Sequence, residues 1–411
     1  MGRKDGLAVS SIKAIKGGVT AAKGFRASAV FAGIKATNKG RDDMALVASE
    51  VPSVGAGVFT TNRVKAAPVR VSMAHLRSPS TCAVLLNSGN ANACTGPCGI
   101  AAAKSLASSM AEALDCGVRR VLVCSTGRIG VALPVEKMSA KLPELAVRLS
   151  AKGGPSAARA IMTSDSFPKE YAVEVRGHGG TFRIGGMAKG AGMINPNMAT
   201  MLCVITTDAK ISKGTLQNAL HHAVERTFNR ITVDGDMSTN DTVLALANGA
   251  SGGSSIKSGS PEYMLFVEAL GEVCLRLAHM IVEDGEGVSK FVTVQVRGAS
   301  SLQAARKVAE AVANSVLVKC AWAGNDPNWG RILDAAGYSG VRIREELVDI
   351  YYDGVAAVRG GTAAPTPKEK LVEAVSRKKF TVTVDLHQGR AFYTVYTTDL
   401  TEKFVELNLS E

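Results

Sequence analysis

The stretch Lys189-Gly-Ala-Gly-Met-Ile-Asn-Pro-Asn-Met-Ala-Thr-Met-Leu202 decides how this chain is interpreted. It starts at a lysine, continues through glycines, asparagines and a proline, and ends in an apolar run. Glycine, asparagine and proline are turn formers, so the segment predicts a loop that leads into a strand. Thr200 stands where that strand begins, and by itself it is typical of a structural residue, because a branched β-carbon suits strands.

Apolar runs and amphipathic patterns alternate on both sides of this stretch. Strands are predicted at 82–86, 120–124, 201–207, 243–247, 291–297, 315–320, 347–352, 380–385 and 391–397, with a hairpin over 171–185. Helices are predicted at 99–115, 135–149, 156–163, 212–227, 262–282, 302–314 and 366–376. The alternation indicates an α/β chain, and its short turns favour mixed sheets.

Composition limits the classes of protein to which the chain can belong. It has 411 residues, of which 46% are hydrophobic and 20% charged, so a sizeable core is expected and wholesale disorder is excluded. There is no apolar run of about 18 residues, so no membrane-spanning helix is expected. The net charge of +12 is scattered and aromatic residues make up 5%, which favours small anionic ligands over nucleic acid.

Motifs for metals and cofactors are missing from the sequence. Among eight cysteines, Cys94 and Cys98 form the one close pair, and neither a histidine nor a second pair follows at zinc-ligand spacing. There is no phosphate-binding GxxxxGK[ST], no HExxH and no GxSxG. The first 20 residues lack the apolar core of a secretory signal. We therefore expect free thiols and a cytoplasmic protein, with the mitochondrial matrix or a plastid as the alternative.

The stretch 189–202 resembles the signature of the ornithine acetyltransferase (glutamate N-acetyltransferase) family of arginine biosynthesis. Seven further blocks resemble that family in the same order, from about residue 17 to about residue 408. They are Gly57–Asn62, Asn87–Gly96, Ser125–Gly127, Thr232–Asp236, Ser238–Thr242, Asp284–Gly287 and Asp326–Arg331. Three of these stretches, 87–96, 232–242 and 326–331, also have an ordinary interpretation, because their Gly, Asn and Asp residues are turn formers that would simply shape the walls of a cleft.

The resemblance implies a fold and a maturation step. The fold is the self-cleaving, N-terminal-nucleophile type of α/β sandwich with mixed sheets. The chain would cut itself at Ala199-Thr200 into an α chain, residues 1–199, and a β chain, residues 200–411. A threonine hydroxyl is a weak nucleophile that needs a base, and cleavage would create an α-amine on the same residue that can serve as one. None of the six histidines lies in a family block.

The resemblance also implies site residues. Thr200 would be the nucleophile, and Thr126 with Gly127 would hold the oxyanion. The substrate would be bound by Thr163, Lys189, Thr200, Glu286 and Asn408. Each position also has an ordinary structural explanation: a strand-ending turn for 125–127, a turn or helix end for Thr163, exposed loops for Lys189 and Glu286, and a strand end for Asn408. The family pattern continues a few residues past this asparagine, whereas here Leu409-Ser-Glu411 follows.

The activity implied by the resemblance is transfer of the acetyl group from N2-acetyl-L-ornithine to L-glutamate through an acetyl-Thr200 intermediate. No metal or organic cofactor is implied, and acetyl-CoA would be a second acetyl donor in a bifunctional member. The implied assembly is a heterotetramer of two α and two β chains. A self-cleaving aminopeptidase or amidase on the same scaffold is the alternative, and a basic binding protein without catalysis is a third reading. The Ala199-Thr200 context favours the two enzymes.

Overall fold

The computed structural model of the protein describes residues 10–35, 40–195 and 201–409. The chain divides into two compact units. The first unit comprises 1–190, 197–229 and 237–278, and the second comprises 191–196, 230–236 and 279–411.

In the described part of the first unit, nine strands form one sheet. They are β1 (Ser11–Ile15), β2 (Phe25–Val30), β3 (Met44–Phe59), β4 (Thr81–Asn87), β5 (Val121–Ser125), β6 (Lys169–Gly177), β7 (Gly180–Lys189), β8 (Leu202–Thr207) and β9 (Thr242–Ala247). The order is β1-β6-β7-β8-β9-β3-β4-β5, with β2 beside β3. The pairs β4–β5 and β8–β9 are parallel and the others antiparallel, so the predicted mixed sheet is confirmed.

Six helices and most of a seventh belong to the described first unit. They are α1 (Ala67–His75), α2 (Gly96–Ala113), α3 (Val135–Ser139), α4 (Leu142–Val147), α5 (Gly154–Ala160), α6 (Lys213–Arg226) and α7 (Pro261–Glu283), the last assigned to this unit up to Ala278. The α6 helix begins at Ser212, whose side chain accepts a hydrogen bond from the Thr215 N–H. This is a standard N-cap, which satisfies one of the free donors at the start of a helix.

The long strand β3 separates two cores of the first unit. Its first half pairs with β2 and β4, and its second half pairs with β9 after a register shift between Ala48 and Ser53. Successive strand residues point to opposite faces. Ala45 and Val47 accordingly pack in a core with β7, β8 and β9, while Leu46 packs in another with α2. Apolar layers on both sides of the strand agree with the predicted sandwich.

The second unit has its own sheet and core. In its described residues, six strands take the order β13-β12-β11-β14-β10-β15. They are β10 (Phe291–Ala299), β11 (Asp349–Tyr352), β12 (Val355–Arg359), β13 (Thr362–Ala363), β14 (Lys379–Asp385) and β15 (Ala391–Thr398). The helices are α8 (Leu302–Asn314), α9 (Val316–Ala323), α10 (Trp329–Gly337), α11 (Lys368–Val375) and α12 (Glu402–Asn408).

Two predictions of secondary structure were wrong. The strand predicted at 315–320 is the helix α9, which starts at Ser315, whose side chain accepts from the Val318 N–H. A short apolar run of β-branched residues does not distinguish a buried helix from a buried strand. The helix predicted over 135–149 is two short helices, and Pro143 lies in the first turn of the second. Proline fits there because the first turn leaves its N–H groups without helical partners.

None of the helices in the described part of the chain combines the length and the hydropathy that crossing a membrane requires.

Candidate active site

Lys189 brings three of the predicted site residues together in the first unit. It is the last residue of β7, opposite Leu202 of β8, and its side chain is buried. The ammonium group donates to the Thr163 hydroxyl at 2.6 Å and to the Thr126 hydroxyl at 3.4 Å. Lys189 therefore lies at a buried strand end and not in the exposed loop that its ordinary structural explanation predicts.

Asp165 holds this cluster together and was missed as a site residue. Its side chain is completely shielded from solvent, and its Oδ1 accepts from Lys169 Nζ at 2.6 Å and from the Gly190 N–H at 2.7 Å. Its Oδ2 lies 3.8 Å from Lys189 Nζ. The usable signal was the spacing of Asp165 and Lys169, an acid and a base four residues apart with no other charged residue between them.

The charges of this cluster decide the protonation of Asp165. Burial alone would raise the pKa of its carboxyl, because a low-dielectric site disfavours the charged form. The ammonium groups of Lys189 and Lys169 outweigh burial and lower the pKa of Asp165. An ionised Asp165 between two lysines leaves the cluster with one net positive charge, which suits a carboxylate ligand or a developing oxyanion.

The turn after β5 presents the predicted oxyanion residues. The Thr126 N–H donates to the Asn87 carbonyl oxygen at 3.0 Å, which continues the pairing of β4 with β5. Gly127 has a φ of +127°, and a Cβ there would lie 2.4 Å from the Gly89 carbonyl carbon. Only glycine fits this position. The backbone of Gly127 is exposed, while Thr126 is buried beside Lys189.

A buried amide network fixes this turn. Asn240 Nδ2 donates to the Ser125 and Ala91 carbonyl oxygens, both at 2.7 Å. The Ser125 hydroxyl donates to Asn87 Oδ1 at 2.7 Å. Two of the family-like blocks, 87–96 and 238–242, thus supply the hydrogen bonds that surround the turn at residues 126 and 127.

Glu286 and Asn408 lie together in the second unit. Asn408 Nδ2 donates to Glu286 Oε2 at 3.2 Å and to the Phe404 carbonyl oxygen at 2.8 Å. The Glu286 carboxyl packs against Gly192, where a Cβ would come within 2.5 Å of it. The Glu286 N–H donates to the Ala191 carbonyl oxygen at 3.0 Å. Asn408 ends the helix α12, not a strand.

The predicted cleavage site, Ala199-Thr200, lies outside the described residues. Its described neighbour Met201 is anchored, because its N–H donates to Asp241 Oδ1 at 3.0 Å. By sequence, residues 190–201 connect β7 to β8, so the cleavage site belongs to the connection that starts directly after Lys189.

The family model described as the ArgJ family matches residues 26–410. The chain belongs to the ArgJ family.

Curated relatives match over nearly their whole length. The arginine biosynthesis bifunctional protein ArgJ of Symbiobacterium thermophilum is 46% identical over 394 residues, which cover 96% of this chain and 98% of that protein. The ArgJ of Geobacter sulfurreducens is 49% identical over 387 residues, covering 94% and 98%. Among solved structures, the ornithine acetyltransferase of Mycobacterium tuberculosis complexed with ornithine is 41% identical. It covers 47% of this chain and 100% of its own, with a TM-score of 0.42.

The described part of this ArgJ-family chain contains no set of side chains that could act as metal ligands. No group of three or more His, Cys, Asp or Glu side chains there could hold a metal ion. The chemistry at the described site is that of hydroxyls, backbone amides, two lysines and carboxylates.

Proposed function

We propose that the protein transfers the acetyl group of N2-acetyl-L-ornithine to L-glutamate through an acetyl ester on Thr200, after cutting itself at Ala199-Thr200. The observation that carries this proposal is the Lys189 cluster. In an ArgJ-family chain, it joins the Thr126 and Thr163 hydroxyls to the end of β7, where the connection containing Thr200 begins.

The first half-reaction uses one residue as nucleophile and base. The new α-amine of Thr200, with a reference pKa of about 8, takes the hydroxyl proton as the oxygen attacks the acetyl carbonyl carbon. The carbonyl oxygen becomes an oxyanion, held by the Thr126 hydroxyl and the Gly127 N–H. The carbon–nitrogen bond then breaks, and ornithine leaves with the proton on its amine.

The second half-reaction reverses these steps with another amine. The amine of glutamate attacks the acetyl ester, the same donors hold the second oxyanion, and the Thr200 oxygen recovers a proton as N-acetylglutamate departs. Lys189 attracts the carboxylate of the bound amino acid, and Thr163 supports it. Glu286 supplies the acid for the substrate's amine and Asn408 a further substrate contact, as the family resemblance implies. The hydrogen bond between them, at 3.2 Å, holds the Glu286 carboxylate in place.

The remaining expectations are part of the same proposal. The reaction needs no metal or organic cofactor, and acetyl-CoA serves as a second donor for glutamate if this member is bifunctional. The cleaved pieces, residues 1–199 and 200–411, assemble as a heterotetramer of two α and two β chains. The compartment we propose is the cytoplasm, with the mitochondrial matrix or a plastid as the alternative.

The test is the denatured mass spectrum of the purified protein before and after brief mixing with N-acetylornithine. We expect two polypeptides that join at Ala199 and Thr200, and one added acetyl group on the second. Thr200→Ser keeps the hydroxyl and should still cut and take up acetyl, whereas Thr200→Ala should do neither. An uncut wild-type chain that takes up no acetyl would refute the proposal.

Product analysis separates the acetyltransferase from the amidase. With labelled glutamate present, the proposal predicts labelled N-acetylglutamate and little free acetate. An enzyme that passes the acetyl group to water at the same rate with and without glutamate would be the self-cleaving amidase.

A further inference from the structure

Two cysteine thiols of the first unit, Cys82 and Cys116, lie in direct contact. Cys82 is the second residue of β4, and Cys116 follows the end of α2. The Cys116 thiol donates a hydrogen bond to the Cys82 sulfur. Both thiols are free and half-buried, so small molecules in the solvent can reach them.

The turn after α2 fixes the position of Cys116. The Cys116 N–H donates to the Ala111 carbonyl oxygen at 2.9 Å, and the Asp115 N–H donates to the Glu112 carbonyl oxygen at 3.1 Å. Asp115 has a φ of +48°. Two such bonds around a left-handed residue form a Schellman motif, which ends a helix and sets the direction of the chain after it. Cys116 packs there against the core that α2 shares with β4 and β5.

The parallel pairing of β4 with β5 places Cys82 at the same end of the sheet. The paired residues run from Ala83–Val121 to Asn87–Ser125. Residue 82 therefore stands beside residue 120, directly before these pairs begin. The oxyanion turn follows the other end of β5, so the two thiols lie at the opposite end of these strands from the proposed chemistry.

Arg120 is the cation that acts on both sulfur atoms, and Asp115 opposes it at Cys116. Its side chain folds over the turn, since a Cβ at Gly117 would lie 3.7 Å from the Arg120 Cδ. The Arg120 Nε is buried and has no hydrogen-bond partner among the described residues. The hydrogen bond from Cys116, together with this charge, lowers the pKa of Cys82 to about 7, although burial opposes them. The thiolate is the form that attacks disulfides.

We propose that Cys82 and Cys116 are a redox-active pair, which closes to a disulfide on reaction with a small-molecule disulfide and reopens with a dithiol. The contact between the two thiols carries this inference, because a disulfide forms only where both sulfur atoms can come within bonding distance. The pair takes no part in the proposed acetyl transfer, so the inference does not depend on that function.

The reaction is balanced with one molecule of the small disulfide. The Cys82 thiolate attacks one of its sulfur atoms, which forms a mixed disulfide and releases the first half as a thiolate that takes up the proton lost by Cys82. Cys116 then attacks the Cys82 sulfur and gives up its own proton, and the second half leaves with that proton. Two protein thiols are oxidised, and one small disulfide is reduced to two thiols.

The test is oxidation of the purified protein with glutathione disulfide. Free thiols are blocked with N-ethylmaleimide at successive times, and the peptides are mapped by mass. We expect the peptides that carry Cys82 and Cys116 to become joined, with no lasting glutathione on either, and dithiothreitol to separate them. Cys320, an exposed thiol of the second unit, is the control and should keep its glutathione.

Substitutions separate the parts played by the three side chains. Cys116→Ser removes the second thiol, so glutathione should stay bound to Cys82 instead of being expelled. Arg120→Gln removes the charge and keeps a polar side chain, so the disulfide should form about 10-fold more slowly. Arg119→Gln, at the neighbouring exposed position, is the matched control and should leave the rate unchanged.

The closed disulfide should also raise the unfolding temperature. It bridges the segment that contains α2, and cross-linking a segment lowers the conformational entropy of the unfolded chain. We expect a rise of several degrees when the wild type is oxidised and its loss on addition of dithiothreitol. Cys116→Ser should show no such rise.

The wild type alone decides the proposal, so a variant that fails to fold leaves the test intact. If Cys82 and Cys116 stay unmodified, or keep separate glutathione adducts, while Cys320 reacts, the redox-active pair is refuted. A folded Cys116→Ser variant without glutathione on Cys82 would overturn the order of attack. A folded Arg120→Gln variant that is oxidised at the wild-type rate would overturn the part assigned to the guanidinium.

Discussion

At the scale of single residues, Thr126 is the most direct test of transition-state stabilisation. Its hydroxyl lies 3.4 Å from Lys189 Nζ and stands beside the exposed backbone of Gly127. Thr126→Val keeps the shape and removes one oxyanion donor, so we expect kcat to fall about 100-fold or more with little change in KM. Steady-state kinetics with N-acetylornithine and glutamate measure this.

The control for Thr126 is another buried threonine of the same unit. Thr206 donates its hydroxyl to the Val19 carbonyl oxygen at 2.7 Å. Thr206→Val should destabilise the fold and leave kcat of the folded fraction near wild type. Equal losses of kcat in both variants would show that Thr126 acts through stability only.

The ionisation of Asp165 should make the free energy of unfolding depend on pH. Its pKa is lowered in the folded state, so its contribution is fully present above the unfolded value of about 3.9 and is lost as the pH falls through the folded value. Asp165→Asn removes that dependence and leaves two buried lysines without their counter-charge, which should lower the free energy of unfolding by about 3–5 kcal/mol at neutral pH. Urea unfolding between pH 7 and pH 3 measures both effects. If the free energy of unfolding changed equally with pH in the wild type and in Asp165→Asn, the predicted pH dependence would not come from Asp165.

Sequence reasoning reached some of these residues and not others, for physical reasons. Lys189 and Thr126 were predicted because each lies in a stretch that resembles the family, and Thr163 because it matches a substrate contact of that family. Asp165 was not, because nothing in a sequence shows that a carboxyl is fully buried or which lysine faces it. Those properties arise only when strands distant in the chain are brought side by side.

At the scale of secondary-structure elements, the same limit explains the error at α9. Its residues Val316, Leu317 and Val318 have the composition of a strand, and the helix is decided by the Ser315 cap and by tertiary packing. Long helices with a clear amphipathic pattern were predicted well. The 13-residue helix α8 shows alternating buried and exposed positions typical of an amphipathic helix, and its predicted limits of 302 and 314 match the observed ones.

The helix α9 also carries a titratable group that links it to β15. Lys319 is buried, and its side-chain nitrogen donates to the Thr397 and Thr398 hydroxyls. Burial lowers the pKa of Lys319 from its ordinary 10.5 to about 7. Between these values the unfolded chain holds a proton that the folded chain lacks. Stability should therefore rise with pH from about 7 to about 10.5, by up to about 1.4 kcal/mol per pH unit.

Substitution of Lys319 tests this linkage. Lys319→Met keeps the length of the side chain and should flatten the rise in the free energy of unfolding over that pH range. Lys307→Met, at an exposed position of α8, should leave the slope as in the wild type. A rise that persists in Lys319→Met would assign the pH dependence to another group.

At the scale of the whole molecule, the sheet of the first unit explains how a cut chain stays folded. The predicted cut falls between β7 and β8, and these strands are antiparallel partners over the pairs from Ile184–Thr207 to Lys189–Leu202. On its other side β8 pairs with β9, which in turn pairs with β3 from the N-terminal half of the chain. Residues on both sides of the cut therefore share one sheet and one core. Removing a covalent bond in the connection leaves those hydrogen bonds and that apolar burial intact.

This arrangement predicts that cleavage changes the covalent mass of the pieces and not the mass of the assembly. Native mass spectrometry of the cut protein should show both polypeptides in one particle, and the proposed heterotetramer should contain two of each. The uncut Thr200→Ala variant should give a particle of the same mass, built from two intact chains. A free β chain could leave only by breaking the hydrogen bonds of β8 with β7. If the two polypeptides separate in native buffer, those strands must part after cleavage, and the prediction is wrong.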